Sequence, residues 1–332
     1  MRGLLGRAFG AATALRVTAY RRGLLPRSRL RGPVISVGNL SVGGSGKTPV
    51  VAYLAALVRD AGLPVAILSR GYRGSFRGDA LVVGDGATIL AQAEAAGDEP
   101  VMLARQLEGV VVAVGRRRDA VGRAVEARYG RRVHILDDGF QHLRLVRDLD
   151  VLCLDLRDLR DQPLPAGRLR ERPAAASRAD LVLITGPDDA SPEEIAGSVD
   201  ALGPERTHLV RRLSLGFFDR TGAAAPPPWR PFLLAGIARP ERFEADVRTM
   251  ADALAGRLFF PDHHAFTTAE LGEVAEEAVR LGADAIVTTA KDKERLPATS
   301  LVLPVLVLRS SIEVSDEARF RARVLEVARR VA

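Results

Sequence analysis

The chain has 332 residues, 47% of them hydrophobic and 27% charged, with a formal net charge of +7. These values describe a soluble globular protein long enough for two cored domains, and they exclude a low-complexity or disordered chain. A single cysteine, Cys153, excludes a disulfide within the chain, and no run of about 18 uncharged apolar residues is present to cross a bilayer.

The amino-terminal arm, residues 1–32, holds Arg2, Arg7, Arg16, Arg21, Arg22, Arg27, Arg29 and Arg31, and no acidic residue occurs before Asp60. Leu5, Phe9, Ala12, Leu15 and Ala19 share one face of a helical wheel, with Arg16 falling among them. Such an arm suits an anionic membrane surface, or else a helix packed on its own domain. With aromatic residues at only 5%, few platforms exist for stacking bases, and no nucleic-acid partner is expected.

Val34–Val37 reads as a β-branched strand. The glycine-rich stretch after it, with Gly43, Gly44, Ser45 and Gly46, leads into Lys47, Thr48 and Pro49 and a helix over about 47–60. Strand, glycine loop, Lys-Thr and helix make a phosphate-binding P-loop: backbone N–H groups turn inward, the Lys reaches the β- and γ-phosphates, and the Thr hydroxyl meets Mg²⁺. The usual first glycine is replaced by Ser41. Of the 48 Lys and Arg residues only three are Lys, at 47, 291 and 293. A Lys kept at 47 therefore points to a compact charge that a guanidinium cannot replace.

Strands are expected at 64–68, 110–114, 133–136, 151–154 and 181–184, with a helix over about 117–128. Continuous Val/Ile/Leu strands separated by helices predict a parallel sheet covered on both faces. At strand ends lie the residues suited to chemistry. Arg70 and Arg73, in Ser69-Arg-Gly-Tyr-Arg-Gly74, can meet phosphate. Asp98 and Glu99, in Gly97-Asp-Glu-Pro100, suit either capping of the next helix or acceptance of a proton from an attacking hydroxyl. Asp137 and Asp138 close a hydrophobic strand and are candidates to hold Mg²⁺. Arg168, Arg170, Glu171 and Arg172 form a charged loop suited to an anionic substrate.

The run Ala223–Pro231 is expected to be a stiff linker. Alternation then restarts, with strands at 232–235, 258–260, 285–288 and 303–308 and helices over about 240–255, 267–281 and 315–330. The expected organisation is an arm at 1–32, a P-loop domain at 33–220, a linker at 221–231 and a smaller α/β domain at 232–332, with the site in the cleft between the domains. His263 and His264 stand next to one another without a Cys/His cluster, so a single His working with a carboxylate, or a plain structural loop, is expected over zinc.

These blocks, in this order, resemble the tetraacyldisaccharide 4′-kinase family, with Asp137-Asp-Gly-Phe-Gln-His142 the most specific. Leu164–Glu171, Ala235–Pro240 and Thr288–Asp292 look like that family too, so the resemblance spans almost the whole chain. It implies ATP- and Mg²⁺-dependent phosphorylation of the 4′-hydroxyl of an acylated glucosamine disaccharide 1-phosphate, at the cytoplasmic face of the inner membrane of Gram-negative bacteria. It further implies that Lys47 and Thr48 handle nucleotide and metal, that Asp137 and Asp138 lie near the metal, and that Asp98 is the base, supported by His263. Arg170 and Glu171 fall on its substrate side, and the arm is its membrane contact. The chain departs from the family pattern at Arg168, Arg172 and Ala290, and no role is assigned to Lys291. A membrane-recruited regulatory P-loop ATPase is the alternative; a GTPase is disfavoured by the lack of an Asn-Lys-x-Asp segment.

Overall fold

A computed structural model describes residues 2–43, 46–186 and 190–332. The chain divides into two compact units, Met1–Arg212 with Ile312–Ala332, and Leu213–Ser311.

In the first unit the elements are α1 (Arg2–Arg21), β1 (Val34–Asn39), α2 (Lys47–Asp60), β2 (Val65–Ser69), β3 (Leu81–Gly84), α3 (Ala93–Ala96), α4 (Asp98–Gln106), β4 (Val111–Val114), α5 (Arg118–Tyr129), β5 (Val133–Asp137), β6 (Leu149–Leu154), β7 (Leu181–Thr185), α6 (Pro192–Leu202) and the start of β8 (Thr207–Phe218). Their sheet runs β8-β7-β6-β1-β5-β2-β4-β3. Every pair in it is parallel except β3 with β4. β1 lies between β5 and β6, with Val37 opposite Asp137 and Val151. Its six residues are all buried, as a strand covered on both faces requires.

The second unit holds the rest of β8, then β9 (Ala224–Ala225), β10 (Phe232–Ala235), α7 (Pro240–Arg248), β11 (Gly256–Phe259), α8 (Thr268–Arg280), β12 (Ile286–Thr289), α9 (Ala290–Lys293) and most of β13 (Val305–Val314). Its parallel order is β11-β10-β12-β13. Phe232 and Leu234 pack on one face of that sheet and Leu233 and Ala235 on the other, each in its own apolar cluster.

Two expected domain boundaries move and one helix is shorter. Helix α10 (Glu317–Ala328) belongs to the first unit: Phe320, Val324 and Val327 join the core beneath α2, and the Tyr53 hydroxyl donates to Glu317 at 2.6 Å. The proline-rich run does not link the units. It lies inside the second, where Ala224 and Ala225 pair with Phe218 and Phe217 and the Trp229 and Arg230 amides bond Asp284. The helix expected over 240–255 is shorter, ending at Arg248.

The arm is a helix, but it docks by its glycines. Gly6 and Gly10 are its buried residues. A Cβ on Gly6 would stand 2.8 Å from the Ala166 Cβ and 2.9 Å from the Pro163 carbonyl oxygen, so only glycine allows this approach, while the nearest atom to one on Gly10 is the Arg172 Nε at 2.8 Å. Leu4, Leu5 and Leu15 stay exposed, at 74, 51 and 71%. Arg16, which spoiled the apolar stripe, donates to the Gln141 carbonyl at 3.3 Å. No helix among the described residues is long and apolar enough to cross a membrane.

Candidate active site

β1 delivers the chain to the phosphate loop at the carboxyl edge of the parallel sheet, where the order of strands changes direction and α/β proteins open a crevice. Gly46 sits at the head of α2 with φ 74°, and among the described residues no side chain caps the helix, whose amino end carries the positive pole of its dipole toward the loop. Gly44 and Ser45, expected among the nucleotide-binding residues, lie outside the described residues. Gly43 and Pro49 stand where the sequence put them, in the loop and in the first turn of α2.

Lys47 Nζ is 3.0 Å from Asn39 Oδ1 and 3.5 Å from Asp138 Oδ1. Thr48 donates to Glu99 Oε2 at 3.4 Å, which sets the start of α4, and Asp98 with it, against the P-loop helix. Asp98 is buried as the first residue of α4, its Oδ1 accepting from the Glu99 amide at 3.0 Å.

Asp137 and Asp138 end β5 in opposite states. Burial, and then the Glu99 carboxylate, push the Asp137 carboxyl up to about 6, although Ser69 donates to it at 2.9 Å. Burial also works against the Asp138 carboxylate, but Lys47 and Arg170 outweigh it and hold that group below its usual range. The backbone of Asp138 turns through φ 53°, a conformation short polar residues tolerate best.

Arg170 reaches this cluster because its loop is zipped to the P-loop. Arg170 N donates to the Leu40 carbonyl at 2.6 Å and Val42 N to that of Arg168 at 2.9 Å, while Leu169 is fully buried. The Arg170 guanidinium then meets Asp138 Oδ2 at 2.7 Å. Ser41, which replaces the usual first glycine, belongs to the same seam. It takes no left-handed φ, and its hydroxyl donates to Asp158 at 2.9 Å. Glu171 was expected on the substrate side, but its buried carboxylate is engaged by Arg178 at 2.6 and 3.0 Å and by Gln141 at 3.2 Å. Arg70 directly follows β2 and is exposed; its charge is felt at Arg118.

Sequence reasoning missed Arg118, buried at the start of α5 with Nη2 3.5 Å from the Asp137 carbonyl. It also missed Asn39, Gln141 and Asp158 as site residues, which gain meaning from partners distant in the chain. Glu99, read with Asp98 as a helix cap or a proton acceptor, stands against the Thr48 hydroxyl.

The residues fit a hard divalent cation. Asp138 Oδ1 is buried without a hydrogen bond among the described residues, and Asp137, Asp138 and Glu99 crowd negative charge beside the Thr48 hydroxyl. Among the described residues no three His, Cys, Asp or Glu side chains close into a metal cage. Mg²⁺ needs none, being held typically by one or two carboxylates, a hydroxyl, water and substrate phosphates.

His263 lies in the second unit, as does His264, and the two part company. His264 Nε2 pairs with Glu270 at 3.0 Å and its ring stacks on Phe260 with centroids 4.3 Å apart, a packing role. His263 has φ 65° and its Nε2 stands 3.1 Å from Lys291 Nζ.

Known proteins match this arrangement along the whole chain. The model of the family described as tetraacyldisaccharide-1-P 4′-kinase matches residues 3–329. A tetraacyldisaccharide 4′-kinase of Anaeromyxobacter dehalogenans (strain 2CP-C) is 45% identical over 298 residues, covering 87% of this chain and 79% of that protein. One of Desulfotalea psychrophila is 39% identical over 315 residues, covering 91 and 89%. A crystal structure of an "apo" form of LpxK from Aquifex aeolicus in complex with ATP superposes with a TM-score of 0.81 at 29% identity, covering 98% of this chain and 97% of that one. Nothing in these matches supports the regulatory ATPase alternative. With that family's model spanning nearly the whole chain and relatives of that name 39 and 45% identical to it, this chain belongs to the tetraacyldisaccharide-1-P 4′-kinase family.

Proposed function

We propose that this protein transfers the γ-phosphoryl group of ATP to the 4′-hydroxyl of a tetraacyldisaccharide 1-phosphate. The observation that carries the reading is the placement of Lys47 between Asn39 and Asp138 at the amino end of α2. Lys47 and the α2 amides bind the nucleotide phosphates and stabilise charge moving toward the β–γ bridge. Thr48, Asp137 and Asp138 would hold Mg²⁺, which when bound would neutralise phosphate charge as it does in phosphoryl transfer generally. Asp98 accepts the proton of the attacking hydroxyl, and His263 assists it. Arg170, held at Asp138, and Arg70 supply positive charge for the anionic acceptor; the contact that Glu171 makes with Arg178 fits a role in shaping that loop.

The protein works peripherally at the cytoplasmic face of the bacterial inner membrane, with the arm on the anionic surface. The exposed Leu4, Leu5 and Leu15 and the eight arginines before Gly32 support this. So does a groove of about 870 Å³ beside α1, bordered by Leu4, Pro163 and Pro173 and by Arg7 and Arg172, a mixed lining that suits an anionic amphiphile.

The test is transfer of label from γ-³²P-ATP to purified tetraacyldisaccharide 1-phosphate in mixed micelles, with Lys47→Ala alongside. Labelled lipid from the wild type alone is the expected result. Hydrolysis of ATP with no labelled lipid overturns the proposal.

A further inference from the structure

Asp119, in the first turn of α5, has a fully buried side chain. Three arginines converge on its Oδ2: Arg123 Nη2 at 3.0 Å, Arg117 Nη2 at 3.2 Å and Arg144 Nε at 3.6 Å. Ser28, in the segment that follows α1, donates its hydroxyl to the same oxygen at 3.1 Å. Burial works against this carboxylate, but the donors from Arg117, Arg123 and Ser28 outweigh it and hold the group below its usual range. One carboxylate thus gathers three guanidiniums, and two positive charges are left over.

That surplus is more than a scaffold carboxylate needs. It also stands at the amino end of a helix, where the positive pole of the dipole disfavours cations. The three side chains remain 50, 50 and 44% exposed. A guanidinium has five N–H donors, and Asp119 takes one from Arg117 and one from Arg123. The chain leading to Ser28 has the same character: Arg22 and Arg27 are exposed, and Leu24 between them is 72% exposed. A leucine set among arginines suits the headgroup layer of an anionic bilayer, where cations meet phosphate and the leucine meets the acyl boundary.

We propose that Arg117, Arg123 and Arg144 form a binding site for the phosphate headgroup of an anionic phospholipid. Guanidinium forks match phosphate oxygens, and Asp119 keeps three of them converged before the lipid arrives. This inference rests on the reading that the protein works at an anionic membrane surface, and it adds to α1 a discrete second hold.

The test is sedimentation of the full-length protein with vesicles of phosphatidylcholine alone or mixed with phosphatidylglycerol. The double variant Arg117→Gln, Arg123→Gln is compared with Arg321→Gln, Arg323→Gln. The second pair removes the same charge from α10, which packs on the opposite face of the sheet from α5. The first pair is expected to weaken binding to the mixed vesicles roughly 10- to 30-fold and the second by no more than about 3-fold. Arg144→Gln, whose guanidinium lies beyond hydrogen-bond reach of Asp119, serves if the double variant folds poorly; a loss of about 3- to 5-fold is expected. Equal losses from the two pairs would reduce the effect to net charge and overturn the proposal, as would unchanged binding by the first pair. A wild type that does not distinguish the two vesicles brings down the membrane reading itself. A raised KM for tetraacyldisaccharide 1-phosphate in neutral micelles, with vesicle binding kept, would assign the arginines to the acceptor instead. Inorganic phosphate is expected to leave the wild-type Tm as chloride of equal ionic strength does. A rise that the first pair abolishes would make the ligand a free anion and overturn the assignment to lipid.

Discussion

Glu126 and Asp137 are both buried carboxylates of the first unit, one on α5 and the other at the end of β5. Glu126 is buried against partners made for it: His134 Nε2 at 3.1 Å, and the amides of Gly32 at 2.8 Å and Arg31 at 3.2 Å. Burial penalises its charge, yet His134 and those amides more than offset this and bring the carboxyl down to about 2. Asp137 has Ser69 as its donor and two carboxylates, Glu99 and Asp138, as neighbours, and it is pushed up to about 6. The first arrangement is complete within the fold. The second is short of positive charge until a ligand brings it, and a deficit of this kind at a strand end marks a site where a satisfied pair marks scaffold.

The sharpest way to break this comparison is Lys47→Ala, which removes the main cation from the deficient cluster. A drop in kcat of roughly 10³-fold or more is expected, the loss typical when a donor to transition-state charge is removed. Asp98→Asn should lower kcat by about 10²- to 10⁴-fold, the range of a general base, with ATP binding intact. Both are read in the lipid-phosphorylation assay, with thermal unfolding as the check on folding. If Asp98→Asn keeps near-normal turnover, the base lies elsewhere.

Stability should respond in the opposite sense at the two carboxylates. Asp137 binds a proton more tightly folded than unfolded, so its contribution is present below pH 3.8 and lost as pH rises through about 6. In metal-free protein at pH 8, Asp137→Asn should therefore raise stability by about 2–3 kcal/mol, at 1.36 kcal/mol per pK unit, while abolishing turnover. Glu126→Gln should lower stability by about 1–3 kcal/mol, since buried donors lose their anionic partner, with turnover per folded molecule kept. Its contribution runs the other way with pH: present above pH 4.5, and lost as pH falls through about 2. Thermal unfolding from pH 2 to pH 8 without metal checks both signs. A stabilised Glu126→Gln would erase the distinction.

The scaffold of this comparison was legible in sequence and its wiring was not. Continuous apolar runs gave β1, β2, β4, β5, β6 and β7 to within a residue or two, because a strand buried on both faces is mostly apolar, with few breaks such as Ser36 and His134. The glycines before Lys47 and the Asp137-Asp138 pair marked the edge that carries the site. β8 escaped notice because Arg211, Arg212 and Ser214 interrupt it and much of it is exposed. α10 was assigned to the wrong unit, since its apolar face does not say which sheet it covers. Glu126 with Gly32, Ser41 with Asp158, and Arg170 with Asp138 are joined only when the sheet brings together segments 94, 117 and 32 residues apart.

Ser41 and Asp158 offer the smallest effect and the finest cut. Asp158 stands between the two extremes: one oxygen accepts from Ser41, while Oδ1 is buried without a hydrogen bond among the described residues and Arg168 remains 3.6 Å away. Burial raises its carboxyl, and the Ser41 hydroxyl works against that rise. If half-satisfaction here belongs to scaffold, Ser41 serves to hold the mouth of the P-loop against the 155–170 segment. Ser41→Ala should then raise the KM for ATP by about 3- to 10-fold, the worth of one buried hydrogen bond, with kcat nearly unchanged, and Ser41→Thr should restore it. A fall in kcat approaching that of Lys47→Ala would move Asp158 across the line. The deficient cluster would then extend beneath the phosphate loop, and an unpartnered buried oxygen would have been the better guide to function than the direction of the carboxyl's shift.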